Sequence, residues 1–147
     1  WGHYKEFFGP SRYSVLLGNS KFIVLDTADA EVGKTQAEWL KDELKSSSVA
    51  HTFVLSHYLP TVPGRQTYLK LSNEEEALAL MKLITVFGTR AWFGAHYHSY
   101  INEDIAGVRY LVAGGGGGRR MDPVKNFFFV RVMISGSNVS YERKDID

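Results

Sequence analysis

His96-Tyr97-His98 is the first place where this chain could do chemistry. In an extended backbone, residues i and i+2 project to the same side, so two neutral imidazoles at that spacing can approach one metal centre. A histidine doublet also arises by chance, with each ring merely hydrogen-bonded, and the motif needs a companion. His57 fits that part. It follows the β-rich run Thr52 to Ser56 as the doublet follows Ala91 to Gly94. Binding residues of open α/β sheets gather outside the carboxyl ends of adjacent strands. The three histidines therefore converge if those two strands are neighbours and parallel; otherwise His57 is a strand-end histidine satisfied by backbone. Cysteine is absent, so any metal must be held by nitrogen and oxygen ligands.

The elements that must position these rings can be read from the pattern. Arg12 to Leu17 and Lys21 to Thr27 are strands separated by the turn sequence Gly18-Asn19-Ser20. Thr35-Gln36-Ala37-Glu38 has the form of a capping box, and Ala37, Leu40 and Leu44 recur at helical spacing after it. Val49 to Ser56 reads as a buried strand, and His57 to Lys70, with Pro60, Pro63 and Gly64, as the loop leaving it. A second capping box, Ser72-Asn73-Glu74-Glu75, opens a helix with the inner stripe Ala77, Leu80, Met81 and Ile84, which Gly88 ends. Ala91 to Gly94, Val108 to Ala113, Asn126 to Met133 and Val139 to Arg143 are further strands. The strand, helix, strand order around Ser72 to Phe87 is that of a right-handed crossover between parallel strands. The expected fold class is α/β, a mixed β-sheet with helices on the outside, and residues 1–147 are expected to form a single domain.

Composition narrows the function. Lys and Arg number 17 against 16 for Asp and Glu, a net charge of +1 that gives no field toward nucleic acid or an anionic membrane. No apolar run approaches the roughly 20 residues of a bilayer-crossing helix, so no membrane partner is expected. The aromatic residues fall at strand and helix-stripe positions, which favours core filling over base stacking. Trp1 opens the chain without a methionine, a basic segment or an apolar leader, so neither a natural start nor a signal peptide is visible.

Several blocks together, in order, resemble the calcineurin-like metallophosphoesterases, and in particular their branch of purple acid phosphatase-like and cyclic-nucleotide phosphodiesterase-like enzymes. The blocks are Lys21-Phe22-Ile23-Val24-Leu25-Asp26-Thr27, then Gln36 with Trp39-Leu40 and Leu44, then Val54-Leu55-Ser56-His57-Tyr58-Leu59-Pro60, then Ala95-His96-Tyr97-His98-Ser99-Tyr100. The resemblance implies an αββα sandwich of which this chain is the C-terminal part. It implies hydrolysis of phosphate esters, mono or di, through two divalent ions such as Fe, Mn or Zn. His57 and His96 would then ligate one ion and His98 the other. Two such ions roughly 3.5–4 Å apart can clamp a phosphoryl group and generate a nucleophilic water.

The family's carboxylate blocks, Asp-x-His, Gly-Asp-x-x-Asp and Gly-Asn-His followed by an acidic residue, do not occur in these 147 residues. The last of these also supplies the family's catalytic acid histidine. These blocks are expected upstream of Trp1, and the chain alone is expected to hold metal partially or not at all and to be inactive. The alternative is a non-catalytic ligand-binding or interaction module that keeps the fold. A second departure is Ala95, where the family has glycine. The methyl is tolerable unless the strand exit needs an unusual backbone angle, in which case Gly94 is placed to absorb the bend.

Gly114 to Gly118 followed by Arg119 and Arg120 could cradle a substrate oxyanion, or could simply connect two strands. Asp26 and Asp104 suit local turn acceptors better than ligands, and His3 and His51 have no partner pattern. A sandwich lacking part of its layers would leave edges and apolar faces open, so the chain is expected to self-associate.

Overall fold

The computed structural model describes residues 2–117, 119 and 126–146. Among the described residues three helices, α1 (Gly2–Phe8), α2 (Lys34–Lys45) and α3 (Glu74–Val86), accompany eight strands. The strands are β1 (Tyr13–Leu17), β2 (Ser20–Val24), β3 (His51–Leu55), β4 (Ala91–Gly94), β5 (Tyr100–Ile105), β6 (Val108–Ala113), β7 (Phe127–Ser135) and β8 (Asn138–Ile146). Six of them form one mixed sheet in the order β1-β2-β3-β4-β6-β5, and β7 and β8 form a separate antiparallel hairpin. Strands β2, β3, β4 and β6 run parallel, while β1 and β5 pair antiparallel at the two edges.

Alternation along the parallel strands separates two apolar faces. Ile23, Val54, Trp92, Val108, Tyr110 and Val112 point into one cluster with Leu40 and Leu44 of α2 and Leu80 and Ile84 of α3. On the other face Phe22 stacks on Phe53 with centroids 5.1 Å apart, Phe53 meets Phe93, and Phe93 meets Tyr141 of the hairpin. The hairpin docks through Phe128, which is fully buried and whose N–H donates to the Gly115 carbonyl. The layers are thus helices, mixed sheet and hairpin, in agreement with the expected α/β class. Among the described residues no helix is long and apolar enough to cross a membrane.

Adjacency of β3 and β4 is the expectation on which the histidines depended, and it holds: Phe53, Val54 and Leu55 pair in parallel with Ala91, Trp92 and Phe93. Helix α3 makes the crossover between them, and Gly88 with φ 64° ends it.

Two capping expectations need correction. Helix α2 begins at Lys34 after Gly33 with no side-chain cap, so Thr35 does not form a capping box. Glu76 of α3 takes over, its carboxylate accepting from the Val32 N–H at 2.9 Å and the Gly33 N–H at 2.6 Å. Gln36, expected in the box and in the block with Trp39-Leu40, clamps the backbone of Asp26, accepting from its N–H and donating to its carbonyl. In α3 the cap is Asn73 rather than Ser72, with its side chain accepting from Glu76 N–H at 3.0 Å. At α2 the tertiary carboxylate outcompetes a local cap because it satisfies two free donors at once.

Two elements escaped the pattern. Strand β5 carries Glu103 and Asp104, which depress strand propensity, and it forms only because the whole of β6 is available to pair with it. Helix α1 has about two turns and leaves Phe7 and Phe8 about three-quarters exposed.

Candidate metal-ligand site

The sheet delivers His57 and His96 from the carboxyl ends of β3 and β4, and backbone hydrogen bonds extend the parallel ladder past both strands. Ser56 N–H donates to the Phe93 carbonyl at 3.0 Å, and the N–H groups of Ala95 and His96 both donate to the His57 carbonyl, at 3.1 and 3.0 Å. With the two exits held in register, His57 Nε2 lies 2.9 Å from His96 Nδ1. The His96 ring is stacked on Tyr58, with centroids 3.8 Å apart and an angle of 27°. Tyr58 is itself fixed by its N–H donating to Thr27 Oγ1 and by its carbonyl accepting from Ser56 Oγ, which in turn accepts from the Trp92 indole. A buried tryptophan, a serine and a tyrosine thus set the orientation of one candidate ligand.

His98 sits on the same rim. Its Nδ1 lies 2.7 Å from the Arg119 carbonyl, which fixes Nδ1 as the donor and leaves Nε2 as the free nitrogen. A backbone carbonyl holding the far nitrogen is the usual support of a metal-binding imidazole. Burial lowers the pKa of both His57 and His96 below the ordinary histidine value, and the neighbouring imidazoles, His98 among them, lower it further. The rings are therefore held in the neutral form that ligates metals.

The residues present fit a metal in part. His57 Nε2 and His96 Nδ1, 2.9 Å apart, share a hydrogen bond; two nitrogens about 2.0–2.1 Å from one tetrahedral ion stand about 3.3–3.4 Å apart, so a small parting of the rings would let both face a shared ion. Among the described residues, however, no group of three or more His, Asp or Glu side chains is disposed to hold one. The described residues do not complete a dinuclear centre, and no reaction step follows from them alone.

Ala95 creates no strain. Among the described residues the non-glycine positions with positive φ are Ala30 and Ala106, and Ala95 is not one of them. Gly94 does not absorb a bend either; it is required by packing, since a Cβ there would stand 2.5 Å from Leu59 Cγ. The glycine run is likewise partly explained by close approach. A Cβ on Gly114 would lie 2.5 Å from the Tyr97 carbonyl oxygen and 2.6 Å from His98 Cα, and one on Gly115 would overlap the Phe128 ring. These two glycines let the loop pass directly under the histidine doublet. Gly116 and Gly117 meet nothing. Arg119 touches the site through its carbonyl, while Gly118 and Arg120 lie outside the described residues.

The remaining sequence candidates sort as expected. Asp26 and Asp104 accept from nearby backbone N–H groups of Ala28 and Gly107. His51 is buried against the Gly136 carbonyl, and His3 is exposed beside Glu6. A pocket of about 610 Å³ lies elsewhere, between Arg12, Asp26, Asp29 and Lys34, and contains none of the three histidines. The Tyr58 stack and the Trp92–Ser56 bond were not anticipated. The run Ser56-His57-Tyr58 was their available signal, since an aromatic beside a candidate ligand is placed to brace a neighbouring ring.

The fold and site define an α/β protein with an imidazole pair at the carboxyl edge of a parallel sheet. No protein-family model matches the sequence, and no curated protein matches it. Solved structures do share the fold. GAP50, described as the anchor in the inner membrane complex of Plasmodium, superposes with a TM-score of 0.68 at 11% identity over 91% of this chain and 49% of its own. A hypothetical protein from Thermus thermophilus gives 0.54 at 13% identity over 93% of this chain and 62% of its own. PhoD gives 0.49 at 16% identity, over 72% and 30%. The chain thus spans less than two thirds of each of these structures, and at such identities the likeness to the first two concerns the fold alone.

Proposed function

We propose that this chain supplies the imidazole ligands of a metal-dependent phosphoesterase whose carboxylate ligands and acid histidine lie outside these 147 residues. The supporting observation is the 2.9 Å approach of His57 Nε2 to His96 Nδ1 at adjacent strand ends, with both rings held neutral by burial. When bound, a pair of divalent ions such as Fe, Mn or Zn would polarise a phosphate ester and activate water. The part of this chain is orientation: Tyr58 and the Arg119 carbonyl aim His96 and His98, and the extended ladder aims His57. The substrate is a small phosphate ester. The isolated chain is inactive, because three neutral rings supply neither a bridging carboxylate nor compensating charge.

A non-catalytic module is the second reading. The absence of a three-ligand group among the described residues and the fold shared with the anchor protein GAP50 favour it. The sequence encoded upstream of Trp1 separates the two readings. Asp-x-His, Gly-Asp-x-x-Asp and Gly-Asn-His in that order support the enzyme, as does a longer gene product that binds two metal equivalents. Their absence, with one equivalent or none, supports the module. Turnover of an aryl phosphate by the 147-residue chain with manganese, at the rate of a complete enzyme, would refute the division of labour proposed here.

A further inference from the structure

The amino end of the same sheet carries a second arrangement of polar groups, remote from the histidines. Arg90 immediately precedes β4, as His96 closely follows it, and Arg109 stands on the neighbouring strand β6, its N–H donating to the Arg90 carbonyl at 3.2 Å. Tyr141 of the hairpin closes over them from the other layer, packed against Phe93. Together with Asp104, Gly107 and Asn138 these residues line a pocket of about 210 Å³.

Three observations set this pocket apart. First, neither Arg90 nor Arg109 forms an ion pair among the described residues, although Asp104 is the direct cross-strand partner of Arg109. Each spends one guanidinium N–H on a backbone carbonyl, Arg90 on Ser137 at 2.9 Å and Arg109 on Asn102 at 3.5 Å. With about five N–H donors on each guanidinium, most remain for something else. Second, the Tyr141 hydroxyl is buried and has no hydrogen-bond partner among the described residues. A buried hydroxyl without a partner has lost its hydration without compensation, so it calls for a ligand atom or ordered water. Third, burial raises the pKa of that hydroxyl and outweighs the opposing pull of Arg90 and Arg109, so it stays protonated on a residue that lines the pocket. The single carboxylate in the lining, Asp104, already accepts from Gly107 N–H, and two cations against one anion leave the pocket with an excess positive charge.

We propose that Arg90, Arg109 and Tyr141 form a binding site for a small tetrahedral oxyanion, free phosphate or the phosphate of a compact monoester, on the end of the sheet opposite the histidines. Two planar guanidiniums offer paired donors matched to phosphate oxygens, and the tyrosine hydroxyl supplies a further donor from the facing layer. An anion there would also tie the hairpin to the sheet, since Tyr141 belongs to β8 and both arginines to the sheet.

The test is a titration of the 147-residue chain with inorganic phosphate and, separately, methyl phosphate, with chelator present to strip divalent ions and sodium chloride at matched ionic strength as control. Binding is read by thermal shift and by NMR shifts of the arginine side chains and the Tyr141 ring. The expected result is a saturable rise in melting temperature with shifts centred on Arg109 and Tyr141. Arg109→Gln should weaken affinity roughly tenfold or more, as expected for loss of a charge-assisted hydrogen bond. Tyr141→Phe should weaken it by a smaller factor with the fold intact, and His57→Ala should leave it unchanged. Preference for inorganic phosphate or for methyl phosphate identifies the source of the anion. A chloride effect as large as that of phosphate, or unaltered affinity in both Arg109→Gln and Tyr141→Phe, overturns the proposal. Should Arg109→Gln fail to fold, Tyr141→Phe and the wild-type shift pattern decide alone.

Discussion

Replacing Gly114 with alanine tests the geometry that holds the histidine doublet in place. The new methyl would stand 2.5 Å from the Tyr97 carbonyl oxygen, 2.6 Å from His98 Cα and 2.8 Å from the Ser99 nitrogen, against 3.4 Å or more in ordinary contact. All three obstacles are backbone, so no side chain can swing aside. Relief requires the two segments to part by about 0.9 Å, the difference between 2.5 Å and 3.4 Å. That movement strains two hydrogen bonds, Gly114 N–H to the Ser99 carbonyl at 3.1 Å and His98 Nδ1–H to the Arg119 carbonyl at 2.7 Å. Overpacking of this kind costs about 1–3 kcal/mol. For a domain of this size that corresponds to a fall in melting temperature of roughly 4–12 °C. Gly116→Ala is the control, because nothing lies within 4 Å of its Cβ and its φ is not positive, and it should change stability little. Thermal melting by circular dichroism reads the stability, and the ring resonances of His96 and His98 read the site. If Gly114→Ala melts with Gly116→Ala and leaves both rings unshifted, the reasoning that this glycine permits a close backbone approach is wrong.

Two further outcomes are expected. His57 and His96 have folded pKa values below their unfolded value of about 6.5, from burial first and neighbouring imidazoles second. The unfolded chain therefore takes up protons first as the pH falls, so the contribution of these rings to stability is full above about pH 6.5 and declines as the pH drops below it. Denaturant melts across that range should show the decline, and His57→Gln with His96→Gln should flatten it. Strand β1 is an edge strand exposing Leu16 and Leu17 at 69% and 72%, and Phe7 and Phe8 are exposed as well, so the isolated chain should self-associate. Light scattering should show species above the monomer mass, and Leu17→Lys should reduce them; a strictly monomeric wild-type profile counts against this expectation.

Local chemistry made most of the strands legible, and its reach ends at contacts between distant segments. Gly18-Asn19 forms the two-residue turn between β1 and β2, with Leu17 opposite Ser20, because Gly18 takes the positive φ that such a turn needs. The α3 stripe of Ala77, Leu80 and Ile84 is buried as its spacing requires. The α2 cap could not be read locally because Glu76 reaches Val32 and Gly33, residues 44 and 43 positions away, which no window of sequence displays. Ala95 and Gly94 exchanged significance for the same reason, since Leu59, folded back from the loop after β3, is what forbids a side chain at position 94.

The strand, helix, strand unit and the types of the candidate ligands follow from the order of residues alone, because side-chain periodicity and imidazole chemistry are local properties. Which nitrogens meet does not. Closure of the fold placed His57 2.9 Å from His96 and assigned His98 to the Arg119 carbonyl. It also gathered Arg90, Arg109 and Tyr141, which share no motif, into one pocket. Distances between side chains from different strands are set by register and by layer packing, and those are fixed only when the sheet, its helices and its hairpin close on one another.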